Sequence, residues 1–211
     1  MEDQDLSRLR LGLCLSLLLA GATVALASLQ PQPSVSAPER SLPPVQNGDW
    51  VFRLGPSRES RLIQQVGGGD YSHIGMIVST SPQALVAHAT TDDDPERPDQ
   101  VLLSPLTEFV DPRHARAFAI ARPDFLDAEQ RLQVSAAVRD EVGQPFLLEP
   151  RNLAHRYCTT LLADAIRMQH PGFDPQWQQL DLPVFHGEYL FPRAFAEYPG
   201  ITWLYRYSIV E

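Results

Sequence analysis

From residue 48 onward, apolar runs and turn residues alternate along the chain, and the apolar period changes with position. "GDWVFRL" (48–54) predicts a strand entered through a Gly-Asp turn. "SRESRLIQQV" (57–66) predicts a short helix with Ser57 as N-cap. After the loop "GGGDYS" (67–72), the β-branched run "HIGMIVS" (73–79) reads as a buried strand. A Ser-Pro-Gln turn and "ALVAHAT" (84–90) then make a hairpin with it. "TDDDPERPDQ" (91–100) reads as a solvated acidic loop, without the ligand spacing of a calcium-binding loop. "VLLSPL" and "ARAFAIAR" (115–122) predict further strands.

Asp127 and Gln130 form a capping box for a helix over 127–142, stopped by Gly143-Gln144-Pro145. A second long helix is expected from about Tyr157 to His170, ending at Pro171-Gly172. "TWLYRY" (202–207) predicts a last strand. Helices and strands are segregated rather than alternating, which predicts an α+β domain with an antiparallel sheet packed against helices.

The amino-terminal region departs from this pattern. Arg8 and Arg10 precede an apolar run, and Ala25-Leu26-Ala27 has the small-x-small form of a cleavage site. Residues 1–27 therefore read as a signal peptide. The alternative is an uncleaved signal anchor, because 11–29 is just long enough to cross a bilayer once and would tether the protein to a membrane. An exported, periplasmic or otherwise extracytoplasmic protein is expected. Residues 28–46 are rich in Pro, Ser and Gln without periodicity and read as a linker, leaving the globular domain at 47–211.

Composition removes several function classes. The net charge is −9, which argues against nucleic acid as a partner. The chain has no lysine, so neither a Schiff-base lysine nor a phosphate-binding P-loop is available. Two cysteines occur, Cys14 and Cys158. Cys14 belongs to the apolar amino-terminal run and reads as a small apolar residue. After cleavage Cys158 would be a lone thiol in an oxidising compartment, where its presence calls for a reason.

Cys158 falls at the start of a predicted helix. A helix N-terminus favours the thiolate, and the Cys158 N–H, in the first turn, is free to bind an oxyanion. A cysteine on an apolar helix is nevertheless more often a packing residue than a nucleophile. Among the histidines, His73 heads an apolar strand, where an imidazole faces both solvent and a neighbouring helix. His88 lies on the partner strand of the hairpin, placed to orient the His73 ring as the third member of a triad does. A zinc site built from His73, His88, His155 and Cys158 lacks any close pair such as H-x-x-x-H or C-x-x-C, so no metal and no other cofactor are expected.

The blocks "NGDWVFRL", "DYSHIGMIV", "ALVAHAT", "VGQPF", "RYCTTLLADAI" and "LFPRAFAEYPGITWLYRY", in this order, resemble the permuted papain-like family of YaeF/YiiX type, within the NlpC-like cysteine peptidase superfamily. The resemblance spans about residues 47–207. It implies a circularly permuted papain-like fold in which the catalytic His precedes the catalytic Cys. It matches His73 to the general base and Cys158 to the nucleophile, and puts His88 where relatives carry a ring-orienting Glu or polar residue. Thr159-Thr160 replace the family's usual Ser-Glu, and Phe146 stands where a Tyr is common; Tyr157 and Tyr71 are the candidates for the hydroxyl that Phe146 lacks. The expected function is a cysteine hydrolase of amidase or peptidase type. The alternatives are a lipid-acting acyltransferase or thioesterase on the same fold, or a ligand-binding domain without turnover. The expected partner is a peptide, amide or acyl-lipid substrate.

Overall fold

The computed structural model describes residues 42–183 and 185–208. The signal or anchor segment, its possible membrane tether at 11–29, Cys14 and the linker up to residue 41 lie outside the described residues. The described residues belong to one compact unit, and Leu42 and Val45 already pack against its core, five and two residues before the expected domain start. Among the described residues no helix is long and apolar enough to cross a membrane.

The domain is α+β. Its elements, in chain order, are β1 (Trp50–Leu54), α1 (Arg58–Gly67), β2 (His73–Ser79), β3 (Leu85–Thr90), β4 (Gln100–Pro105), α2 (Leu106–Phe109), β5 (Ala117–Pro123), α3 (Ala128–Asp140), α4 (Cys158–Gln169), β6 (Gln178–Asp181), β7 (His186–Tyr189), α5 (Pro192–Ala196) and β8 (Ile201–Ser208). Six strands form a sheet in the order β4-β3-β2-β1-β5-β8. Every neighbouring pair is antiparallel. β6 and β7 form a separate hairpin.

The central strands read as continuous apolar runs because both faces of the sheet are covered. Trp50, Phe52, Ile74 and Met76 point to the face on which Leu162 and Ile166 of α4 and Val134 and Val138 of α3 pack. Val51, Ile77, Val86 and Phe118 point to the other face, closed by Leu106, Phe109 and Val110. The period of two thus separates two hydrophobic layers along the same strands.

Two local devices fix the sheet around the site. Gly48, at φ 86°, turns the chain into β1. The following Asp49 is fully buried and accepts two 2.8 Å hydrogen bonds from the Arg122 guanidinium of β5 and one from the Gln46 N–H. The second device is Gly75 in β2. A Cβ there would lie 2.5 Å from a Val86 methyl and 3.1 Å from His88 Cβ, so its absence lets β3 carry His88 close to β2.

Candidate functional site

The end of β1, the start of β2, the end of β3 and the N-terminus of α4 contribute to one cavity of about 410 Å³. Arg53, His73, Thr90, Asp93 and Cys158 are part of its lining.

The two histidines meet as the hairpin pattern predicts. The ladder pairs Met76 with Ala87, which sets His73 diagonally across from His88. His73 Nε2 lies 3.0 Å from His88 Nδ1, and His88 Nε2 lies 3.0 Å from the Ser104 hydroxyl of β4. Both rings contact Phe109, with centroids 5.7 and 4.9 Å away. With His73 Nε2–H donating to His88, and His88 Nε2–H donating to Ser104, the His73 Nδ1 lone pair is left as a base. Ser104 is thus a further member of the relay; its place two strands from His73 gave no sequence signal.

Arg53 and Asp93 were also invisible as site residues in the sequence. Arg53 stands opposite His73 in the β1–β2 ladder and is buried. Its guanidinium lies 4.4 Å from the Phe109 ring centroid and forms an ion pair with Asp93. Asp93 belongs to the run expected to be a solvated loop; instead, its carboxylate turns inward and lies 3.7 Å from His88 Nδ1. Burial raises the Asp93 pKa, but the charges of Arg53, His73 and His88 and the hydrogen bond from Arg53 prevail and hold it down to about 2.

The histidines are neutral in the resting protein. Burial comes first and the Arg53 charge second in holding His73 well below its ordinary value. The same two causes, in the same order, hold His88 down to about 3, partly opposed by Asp93. The Cys158 thiol is pushed up to about 11 by burial, against the backbone N–H groups of Ile74, Thr159 and Cys158 itself and the charge of Arg53. Ile74 directly follows His73, so the sulfur faces the backbone at the base of the histidine strand. Cys158 and His73 share the cavity, while the His73 ring hydrogen-bonds to His88 and not to the thiol. The resting pair is therefore a thiol beside a neutral imidazole system, not a preformed thiolate–imidazolium pair.

The two tyrosines separate. Tyr157 lines the cavity, but its hydroxyl accepts a 2.9 Å hydrogen bond from the Leu190 N–H, and burial raises its pKa. Tyr71 is not part of the lining. It packs among Phe52 and Trp203, with centroids 5.3 and 6.3 Å away, so it offers no hydroxyl to a cavity-bound oxyanion. Phe146 does line the cavity.

Thr159 and Thr160 are fully buried and build the helix start. Thr160 Oγ1 accepts from the Tyr157 N–H at 2.9 Å, satisfying a donor at the N-cap. Thr159 Oγ1 donates to the Leu190 carbonyl at 2.7 Å. Leu190 is thereby held by both its N–H and its C=O, which clamps the segment after β7 to the N-terminus of α4. His155 is turned away toward the Pro150 carbonyl and Asp164, at 3.4 and 3.9 Å.

Among the described residues no group of three or more His, Cys, Asp or Glu side chains is placed to hold a metal ion. The facing nitrogens of His73 and His88 are engaged with one another, and His88 Nε2 is engaged with Ser104.

Comparison with protein-family models finds no match, and no curated protein matches. Among solved structures, the chain is similar to the metalloprotein YiiX from Escherichia coli O157:H7, DUF1105. The TM-score is 0.64 at 20% sequence identity, over 78% of this chain and 98% of that one. The two chains share a fold.

Proposed function

We propose that the domain is a circularly permuted papain-like cysteine hydrolase of amidase or peptidase type, with Cys158 as nucleophile, His73 as general base and His88 as the residue that orients it. The observation that carries this reading is the His73–His88–Ser104 relay, opening on the same cavity as a thiol at a helix N-terminus. A packing role for Cys158 accounts for neither the relay nor the shared cavity. Export by way of residues 1–27 belongs to the same reading.

The chemistry is acyl transfer through the sulfur. As substrate binds, the Cys158 thiol proton passes to His73 Nδ1 and Sγ bonds to the carbonyl carbon. The carbonyl oxygen takes the negative charge and the Cys158 N–H donates to it. The tetrahedral adduct collapses, the bond to the leaving group breaks, and His73 returns the proton to the leaving amine or alcohol. Water, deprotonated by His73, then attacks the thioester; the acid departs and the thiol is restored. While His73 and His88 share the extra proton, Asp93 is the nearby counter-charge. Without it, the buried cation would face only Arg53, a like charge.

The similar YiiX structure carries the name metalloprotein. The donors present here do not fit such a group, because the histidine nitrogens that face each other are already hydrogen-bonded. No step is routed through a metal.

The test is turnover of a panel of aryl amides and aryl esters. Cys158→Ala abolishes it, and His73→Ala lowers kcat about 100-fold or more, the range expected for loss of a general base. Turnover that survives Cys158→Ala contradicts the proposal.

A further inference from the structure

The run Gly67-Gly68-Gly69, which reads in the sequence as a loop, is built for close contact. A Cβ at Gly67 would lie 2.7 Å from the Phe191 ring, and one at Gly69 would lie 2.9 Å from Arg193 Cβ. Gly68, at φ 67°, is the C-cap of α1, and a Cβ there would lie 3.1 Å from Arg193 Nη1. The three glycines thus let α5 lie against the end of α1. Gln178 Nε2 donates to the Val66 carbonyl at 2.8 Å and brings the start of β6 to the same place.

These elements surround a second cavity of about 420 Å³, a size that fits a small-molecule site. Val66 and Phe191 line both this cavity and the one at Cys158, so the two adjoin at those side chains. None of the residues assigned to the acyl-transfer chemistry lines the second one.

The lining is polar and its charges cancel. Arg193 Nε donates to Glu197 Oε1 at 2.9 Å. The same guanidinium stands at the carbonyl end of α1, where a positive charge is favoured. With a carboxylate on one side and a helix C-terminus on the other, Arg193 has no surplus charge to hold an anion, and it repels a cation. The Nε2 groups of Gln178 and Gln179 are engaged with the Val66 and Leu180 carbonyls, which leaves each Oε1 as an acceptor. The exposed Gln176 amide offers both a donor and an acceptor, and the terminal nitrogens of Arg193 are further donors. Donors and acceptors are therefore interleaved without net charge. A hydroxyl group both donates and accepts, so the ligand that matches this lining is neutral and carries several hydroxyls.

We propose that this second cavity is a binding site for a neutral saccharide. The assignment does not depend on the reading of Cys158 as a nucleophile.

The experiment titrates the full-length protein with glucose, galactose, maltose and cellobiose, and with sodium phosphate and putrescine as anionic and cationic comparisons, by calorimetry and tryptophan fluorescence. At least one sugar is expected to bind with a Kd of about 1 mM or tighter, and neither ion as well as that sugar. Gln176→Ala combined with Gln179→Ala, both at exposed positions, should weaken sugar binding about tenfold or more, because the ligand hydroxyls lose their partners. If that double variant does not fold, Glu197→Ala, also at an exposed position, gives the same reading. Trp177→Phe, in the lining, should remove most of the fluorescence response while calorimetry still records binding. Cys158→Ala should bind the sugar as the wild type does; binding lost in that variant would move the sugar to the catalytic cavity and overturn the second site. Sugar binding untouched by the glutamine variants, a fluorescence response kept in full by Trp177→Phe, tighter binding of phosphate or putrescine, or no binding of any of the four sugars would equally overturn it.

Discussion

Cys158 and His73 are each stored in the neutral state. The thiol sits near 11 because it is buried, and the imidazole sits low because it is buried beside Arg53. In the proposed mechanism the proton passes from the thiol to the imidazole only once a substrate is bound. In the free protein, alkylation of Cys158 by iodoacetamide should rise about tenfold per pH unit from 7 to 9, following the small thiolate fraction. A rate already level at pH 7 would indicate a preformed thiolate and contradict this picture. The two central residues were legible in the sequence for separate reasons: a lone thiol at a helix start, and a histidine heading an apolar strand. Arg53 and Asp93 were not. Arg53 looks like the polar end of a strand. Asp93 is one carboxylate in an acidic run, and only the ladder and the returning loop bring it to a partner 40 positions away.

At the scale of elements, periodicity located what it governs. β2 spans 73–79 as expected, α1 begins after Ser57, whose hydroxyl accepts from the Ser60 N–H, and the Asp127–Gln130 capping box is formed. The β6–β7 hairpin was not foreseen, because "QQLD" and "HGEY" are short and mostly polar, and carry one buried residue each, Leu180 and Tyr189, too few to produce a period. α2 and α5 escaped because four or five residues are too few to show a helical period. The Thr159-Thr160 pair, which differs from the Ser-Glu of the family that the sequence resembles, is explained by what it binds: the Leu190 carbonyl and the N-cap amide. Thr159→Val keeps the shape of the side chain and removes the donor, leaving a buried carbonyl without its partner. Urea denaturation should show a loss of about 1–3 kcal/mol. An unchanged midpoint and slope would mean that the clamp on Leu190 adds nothing to the fold.

The whole molecule inherits a pH sensitivity from these buried groups. His88 is held at about 3 and His73 well below its ordinary value, so the unfolded chain binds protons at mildly acidic pH that the folded protein refuses. With folded values depressed, the stability is complete above the unfolded histidine value near 6.5 and is lost as pH falls toward 3. The loss is up to about 1.4 kcal/mol per pH unit for each ring. Asp93, held at about 2 against an ordinary 3.8, adds a further loss below pH 4. Thermal unfolding should therefore show Tm falling steadily between pH 7 and 4, with a shallower fall in His88→Gln. A flat Tm across that interval would mean that the rings are protonated in the folded state. The antiparallel α+β architecture and the order of its long elements could be inferred from the sequence, because the strands stand out as continuous apolar runs between turn residues. The depth and apolar wall of the cavity were not legible, since they arise where α1, β6 and the segments around Phe146 and Phe191 converge.

The claim that binds these scales together is that Cys158 forms a covalent acyl intermediate with His73 as its base. Intact-protein and peptide mass spectrometry after a brief exposure to a p-nitrophenyl acyl ester, followed by acid quench, reads it directly. The account predicts one acyl group on the Cys158 peptide, none on Cys158→Ala, and formation about 100-fold slower in His73→Ala. An acyl group on any other residue, or equal rates in wild type and His73→Ala, would contradict it.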